Sequence, residues 1–198
     1  IIGLLVMAKV FAYNMPQALK SRVKVVKEVP KIAPEKVEEE PISLMAQLNF
    51  ADEGLPQGDK RIKQKMNRQL YKFSYSKTQT NRLHQKAAEW FPVIEPILEA
   101  YGIPEDFKYM PLVESGIRGG VSPKGAAGYW QFMPGTARGY GLKVNGKVDE
   151  RNNLRKSTIA AAKYLKELHS IFGNWTLVAA AYNVGDHHMR KQINKQKE

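Results

Sequence analysis

Glu114, Gln131, Tyr182 and Asn183 are the side chains of this sequence whose types suit acid–base chemistry on a neutral polymer. Glu114 opens the block Glu114-Ser115-Gly116. A segment of glycines, aromatics and one amide, Gly125 to Ala137, follows, and Ala181-Tyr182-Asn183-Val184-Gly185 stands near the end. Phe107, Met110 and Glu114 recur every third or fourth residue, which sets the carboxyl group at the end of a helix, on its apolar face. Desolvation there disfavours the anion, and the partial negative charge of a helix C-terminus acts the same way. A glutamic acid that keeps its proton near neutral pH can give it to a glycosidic oxygen. Ser115 is placed to orient that acid, and Gln131 offers both a donor and an acceptor to an N-acetyl group. Gly125 and Gly128 allow close backbone approach. These residues in this order suggest a site that cleaves sugar polymers.

Glycosidases commonly use two carboxyl groups, about 5–5.5 Å apart for retention or roughly 6.5–9.5 Å for inversion. No obvious partner for Glu114 is present. Glu105 and Asp106 fall earlier on the same helix, too far to reach the same bond. Asp149-Glu150-Arg151 reads as a turn closed by a salt link. His187-His188 does not form a metal site, because adjacent residues do not share a helix face. No metal and no cofactor is expected.

The elements that must hold these groups are helical. Ile62, Met66, Leu70 and Phe73 mark one apolar face between Asp59 and Tyr75. A second helix starts near Thr80 and runs through Leu83, Ala87, Trp90, Ile94, Leu98 and Tyr101 to Gly102, with Pro92 and Pro96 expected to bend or split it. Pro104 fits the first turn of the helix that leads to Glu114. A short helix from Pro134 to Tyr140 ends at Gly141. Ala161, Leu165, Leu168 and Phe172 stripe a helix from Ile159 that closes at Gly173. Asn174 caps a last helix whose inner face is Trp175, Val178, Ala179 and Tyr182. Tyr129, Trp130 and Phe132 are open to two readings, stacking against sugar faces or packing in the core. With no run of alternating strands, the fold class is all-α.

The chain has 198 residues, no cysteine and a formal charge of +12. It can bury a core without disulfides, and thiolate metal sites and cysteine nucleophiles are excluded. A basic surface favours polyanions, but no zinc-finger, RNA-binding or basic heptad pattern points to nucleic acid. Residues 1–12 are mostly apolar and too short to span a bilayer; they read as the remnant of a secretory signal, with membrane association possible only through this segment. Residues 13–43, punctuated by Pro30, Pro34 and Pro41 and carrying the charge run Glu35 to Glu40, read as a flexible linker. The folded domain is expected over 44–198.

Glu114-Ser115, Gly128-Tyr129-Trp130-Gln131-Phe132-Met133-Pro134-Gly135-Thr136-Ala137 and Ala181-Tyr182-Asn183-Val184-Gly185 together resemble the soluble lytic transglycosylase (SLT) domain. The stretches Phe91 to Glu95, Ile103 to Tyr109 and Val148 to Arg151 are similar to its membrane-bound lytic murein transglycosylase D type. The resemblance covers roughly residues 48–198. It implies a lysozyme-like helical fold, an exported protein of a Gram-negative envelope, and peptidoglycan glycan strands as partner. It further implies that Glu114 alone makes both proton transfers, giving 1,6-anhydromuramoyl ends, with Ser115, Gly128, Gln131, Tyr182 and Asn183 lining the cleft. A hydrolytic muramidase of the same fold and a non-catalytic wall-binding module remain open. The family pattern continues with another tyrosine-bearing helix, so the domain reads as C-terminally incomplete.

Overall fold

The computed structural model describes residues 49–54, 60–72, 80–116 and 120–195, the side chains of 69–72, 80–81 and 115–116 excepted. The signal remnant (1–12), the linker (13–43) and the domain start at 44–48 lie outside the described residues. So does Phe73 of the first helix, together with the side chain of Leu70.

The described residues form six α-helices: α1 (Lys60–Lys72), α2 (Thr80–Ala100), α3 (Pro134–Gly139), α4 (Leu154–Phe172), α5 (Trp175–Val184) and α6 (Asp186–Asn194). Helix α4 is the centre, packed between α2 and α5. Its expected stripe is there: Ala161, Leu165 and Leu168 are fully buried. Four alanines of this helix pair, Ala161, Ala162, Ala179 and Ala181, are completely inaccessible, which lets α4 and α5 approach closely. Helix α2 runs unbroken through Pro92 and Pro96. Both prolines face solvent, while Leu83, Ala87, Trp90, Ile94 and Leu98 face inward.

Three features differ from the expectation. The segment leading to Glu114 is not one regular helix. A 3-10 turn, Glu105–Tyr109, is followed at Leu112–Gly116 by a π-helical turn. Pro111 has no N–H to give to the preceding turn, and the wider turn begins one residue later. Helix α4 starts five residues before Ile159, capped by Asn153, whose side chain accepts from Lys156 N–H at 2.9 Å. A further helix, α6, follows Gly185 and anchors through Met189.

A small hairpin was also not foreseen. β1 (Asn49–Phe50) pairs antiparallel with β2 (Glu53–Gly54). Ala51 and Asp52 take φ of 52° and 60°, the left-handed pair that a two-residue hairpin turn requires. The hairpin is tied down from three sides. Ala51 N–H donates to Asp106 Oδ2 at 2.7 Å, and Phe50 is buried edge-on against Phe107, ring centroids 5.0 Å apart. Glu53 accepts from the first two amides of α5, Trp175 at 2.7 Å and Thr176 at 2.8 Å. Together with Asn174, whose side chain accepts from Leu177 N–H at 2.9 Å as expected of a cap, it satisfies donors that a helix start leaves open.

Candidate active site

Glu114 sits within the π-helical turn, a rare geometry that concentrates at functional sites. The turn is fixed from its N-terminal side. Phe107 and Met110 are buried, and Lys108, also buried, bonds Glu95 at 2.7 Å and Glu105, with its ammonium 5.0 Å above the Phe91 ring. Burial raises the Glu114 pKa, and an amide of Asn183 opposes that rise. The amide contact, Asn183 Nδ2 to Glu114 Oε1, is 3.4 Å long, near the limit of a useful hydrogen bond, so desolvation wins.

Tyr182 and Asn183 are consecutive on α5 and divide two tasks. Asn183 reaches the carboxyl group, while Tyr182 Oη donates to the carbonyl of Trp130 at 2.8 Å. Burial, and then the Glu114 charge, push the Tyr182 hydroxyl well above its ordinary pKa. It therefore stays a donor. The Tyr182 ring rests on Trp130 at 6.3 Å and Phe132 at 6.1 Å.

The loop that carries Gln131 is a tight antiparallel turn. Ala127 and Phe132 exchange both backbone hydrogen bonds at 3.1 Å. Inside it Gly128 has φ +79° and Gln131 has φ +48°, an uncommon value for a residue with a Cβ. The Gln131 side chain explains its tolerance: Nε2 donates to the carbonyls of Gly128 at 3.0 Å and Gly120 at 3.3 Å. Gln131 thus spends its donors on the loop, and Oε1 is what it offers outward. This narrows the expectation of a donor and an acceptor for an N-acetyl group. The close approach that Gly128 permits is to the protein's own backbone, since a Cβ there would stand 2.0 Å from the carbonyl oxygen of Arg151. Trp130 and Phe132 are core residues, and Trp130 Nε1 donates to the buried hydroxyl of Thr158 at 3.0 Å. Tyr129 packs edge-on against Trp90 at 4.9 Å. The Ser115 side chain, expected beside the acid, lies outside the described residues.

Every other described carboxyl group is engaged elsewhere or exposed. Glu95 and Glu105 hold Lys108, Asp106 and Glu53 hold the hairpin and α5, and Glu167 accepts from Tyr140 Oη at 2.7 Å. Asp186 faces Arg190 within its own helix. Asp149 forms the expected salt link with Arg151. Glu150 takes the amide of Lys143 and the ammonium of Lys156. Asp52, Glu89 and Glu99 are exposed. Hydrogen bonds lower the pKa of Asp149, first that from Arg151, and of Glu150, first that from Lys143 N–H; at Glu53 burial works against the α5 amides and loses. Glu114 moves the opposite way. Among the described residues no group of three or more His, Asp or Glu could hold a metal ion, and His187 and His188 are exposed.

Two contributors escaped the sequence. Glu53 caps the helix bearing Tyr182 and Asn183 from more than a hundred positions away, with no local signal to reveal it. Arg151 was read as a salt-link partner only, yet its guanidinium also binds the carbonyls of Gly125 at 2.8 Å and Phe132 at 2.9 Å.

A helical domain that sets one desolvated carboxyl group apart from the other described ones has half of a glycosidase's usual acid–base pair. Comparison with protein-family models defines the class: the transglycosylase SLT domain model matches residues 93–198, and the chain belongs to that family. Among curated proteins it is similar to the membrane-bound lytic murein transglycosylase D of Escherichia coli, in strain K12 and in strain CFT073. It is 34% identical to each over 146 residues, 73% of this chain. The matched part spans 31% of the length of those relatives. Among the described residues no helix is long and apolar enough to cross a membrane.

Proposed function

We propose that this domain is a peptidoglycan lytic transglycosylase, cutting the β-1,4 bond between N-acetylmuramic acid and N-acetylglucosamine. The observation that carries the reading is the solitude of Glu114, a half-buried acid with a raised pKa and, among the described residues, no second carboxylate committed to the same place. A hydrolase needs a base for its water. A substrate that supplies its own nucleophile does not. Glu114 gives its proton to the bridging oxygen as the C1–O bond breaks. The resulting carboxylate, favoured by the Asn183 amide, then takes the proton of the muramic acid C6 hydroxyl as that oxygen bonds C1. The product is a 1,6-anhydro ring, and Glu114 ends protonated as it began. Tethering the nucleophile replaces much of the missing machinery. Gln131 accepts from an N-acetyl N–H, Tyr182 and Gly128 keep the Gln131 loop in shape, and Ser115 orients the acid.

The partner is the glycan strand, whose peptide carboxylates suit a protein with a charge of +12. In this reading residues 1–12 are an export signal, 13–43 a linker, and 44–198 the catalytic domain, acting in the envelope of a Gram-negative bacterium. Digestion of purified sacculi followed by mass analysis of the soluble fragments tests it. Anhydro-terminated muropeptides are expected; reducing ends would make the protein a hydrolytic muramidase, and pelleting with peptidoglycan without release would make it a wall-binding module. Glu114→Gln should cut the rate on the order of 10³-fold or more, because one group performs both proton transfers, while still pelleting with the wall.

A further inference from the structure

We infer that Arg151 is a positioning residue for this cleavage, its guanidinium stapling the two ends of the 125–132 loop to Asp149 and so holding Gln131 and the Trp130 carbonyl in register with Glu114. The inference rests on the reading of Glu114 as the acid. Arg151 is 6% exposed. Nε and Nη2 grip the two oxygens of Asp149 at 2.9 and 2.7 Å, the side-on geometry that arginine makes and lysine cannot. Nη1 spans the loop's base, bonding the carbonyl of Gly125 at its start and of Phe132 at its end. The Arg151 backbone fills the space left by the missing Cβ of Gly128. One residue therefore touches the loop at three points, and the four hydrogen bonds of its guanidinium go to Asp149 and the loop rather than to Glu114.

The loop needs such a staple. It contains a left-handed Gln131, a conformation that persists where its surroundings over-determine it. Its far side is held at Trp130, by Tyr182 through the carbonyl and by Thr158 through the indole. Released from Arg151, the part-buried Gly125 carbonyl would lose its donor and the buried Phe132 carbonyl one of its two, leaving it only Ala127 N–H, and the turn would relax to serve them. Gln131 would move with it. Asp149 neutralises the buried cation and fixes the plane of its fork, so it belongs to the same device.

Arg151→Lys, Arg151→Ala and Asp149→Asn test this, each first checked for a cooperative melt. In folded Arg151→Lys we expect kcat on sacculi to fall about ten- to a hundredfold, pelleting with insoluble peptidoglycan to be retained, and amide exchange at Ala127 and Phe132 to quicken while α4 keeps its protection. Ethylguanidinium should restore part of the activity of Arg151→Ala and leave the wild type unaffected. Should Arg151→Ala unfold, Asp149→Asn gives the same two readouts with the guanidinium in place. Wild-type kcat in folded Arg151→Lys, or unchanged exchange at Ala127 and Phe132, would overturn the inference. Wild-type protein that releases no anhydro ends would instead defeat the reading of Glu114, and exchange at Ala127 and Phe132 would still decide whether Arg151 holds the loop.

Discussion

Donating a proton to a sugar oxygen near neutral pH requires a carboxyl group that resists ionising, and at Glu114 that resistance comes from burial. The same burial has a thermodynamic consequence. A carboxyl group whose folded pKa lies above its ordinary 4.5 binds more proton in the native state than in the unfolded one. Its contribution to stability is therefore full below pH 4.5 and declines as the pH rises through the folded pKa. Glu114→Gln removes the ionisation altogether. The variant should melt at a higher temperature than the wild type at pH 7, with the gap closing near pH 4; calorimetry at the two pH values that found no such gap would mean the carboxylate is comfortably solvated. The activity of the wild type should fall on the alkaline side as Glu114 loses its proton. The residues of this site were readable because they stand in short blocks: Glu114 ends an apolar face, and Tyr182 and Asn183 are adjacent. Trp130 and Phe132 were not resolvable between sugar stacking and core, since the partners that decide the matter, Thr158 for Trp130 and the Tyr164 and Tyr182 rings for Phe132, stand far along the chain.

At the level of elements, the helices with a full apolar stripe were readable and the short pieces were not. Helices α2, α4 and α5 carry enough turns for a 3.6-residue period to emerge. Two-residue strands have no period to detect, and the Ala51-Asp52 turn lacks the Asn-Gly or Asp-Gly pair that signals a hairpin. The π-helical turn leaves the spacing of Phe107, Met110 and Glu114 compatible with an ordinary helix, so periodicity carried no sign of the break at Pro111. Helix α6 has two apolar contacts, Met189 and Ile193, too few to stand out from its charged neighbours. The hairpin's Glu53 can be weighed directly. Hydrogen bonds from the α5 amides depress its pKa despite the opposing effect of burial, so its support is present above the ordinary value of 4.5 and is lost as the pH falls through the folded value. Glu53→Gln should cost about 1 kcal/mol at pH 7, the usual worth of a helix cap. Denaturant melts at pH 7 and in acid should show that deficit vanish in acid; a deficit that persists would assign it to packing instead.

The molecule as a whole is assembled from segments distant in sequence. The acid arrives on the 3-10 and π turns, its amide partner on α5, and the loop between them is held from the short 3-10 turn Glu150–Asn152 just before α4. What keeps the first two in place comes earlier: Phe50 against Phe107, Ala51 on Asp106, Glu53 on the start of α5. The family model begins at residue 93, downstream of that hairpin, of Met66 and of Leu83, Ala87, Trp90 and Phe91, all buried. A polypeptide of residues 93–198 keeps Glu114, Gln131, Tyr182 and Asn183, yet it should show no cooperative melt and release nothing from sacculi, whereas residues 44–198 should melt cooperatively and release fragments; a cooperatively folding, active 93–198 would contradict this. Shared pattern marks where relatives keep their chemistry in common. Here the two-strand clip lies upstream of the family model's border at residue 93, so anyone trimming the protein to that model would discard the hinge pin and keep the door.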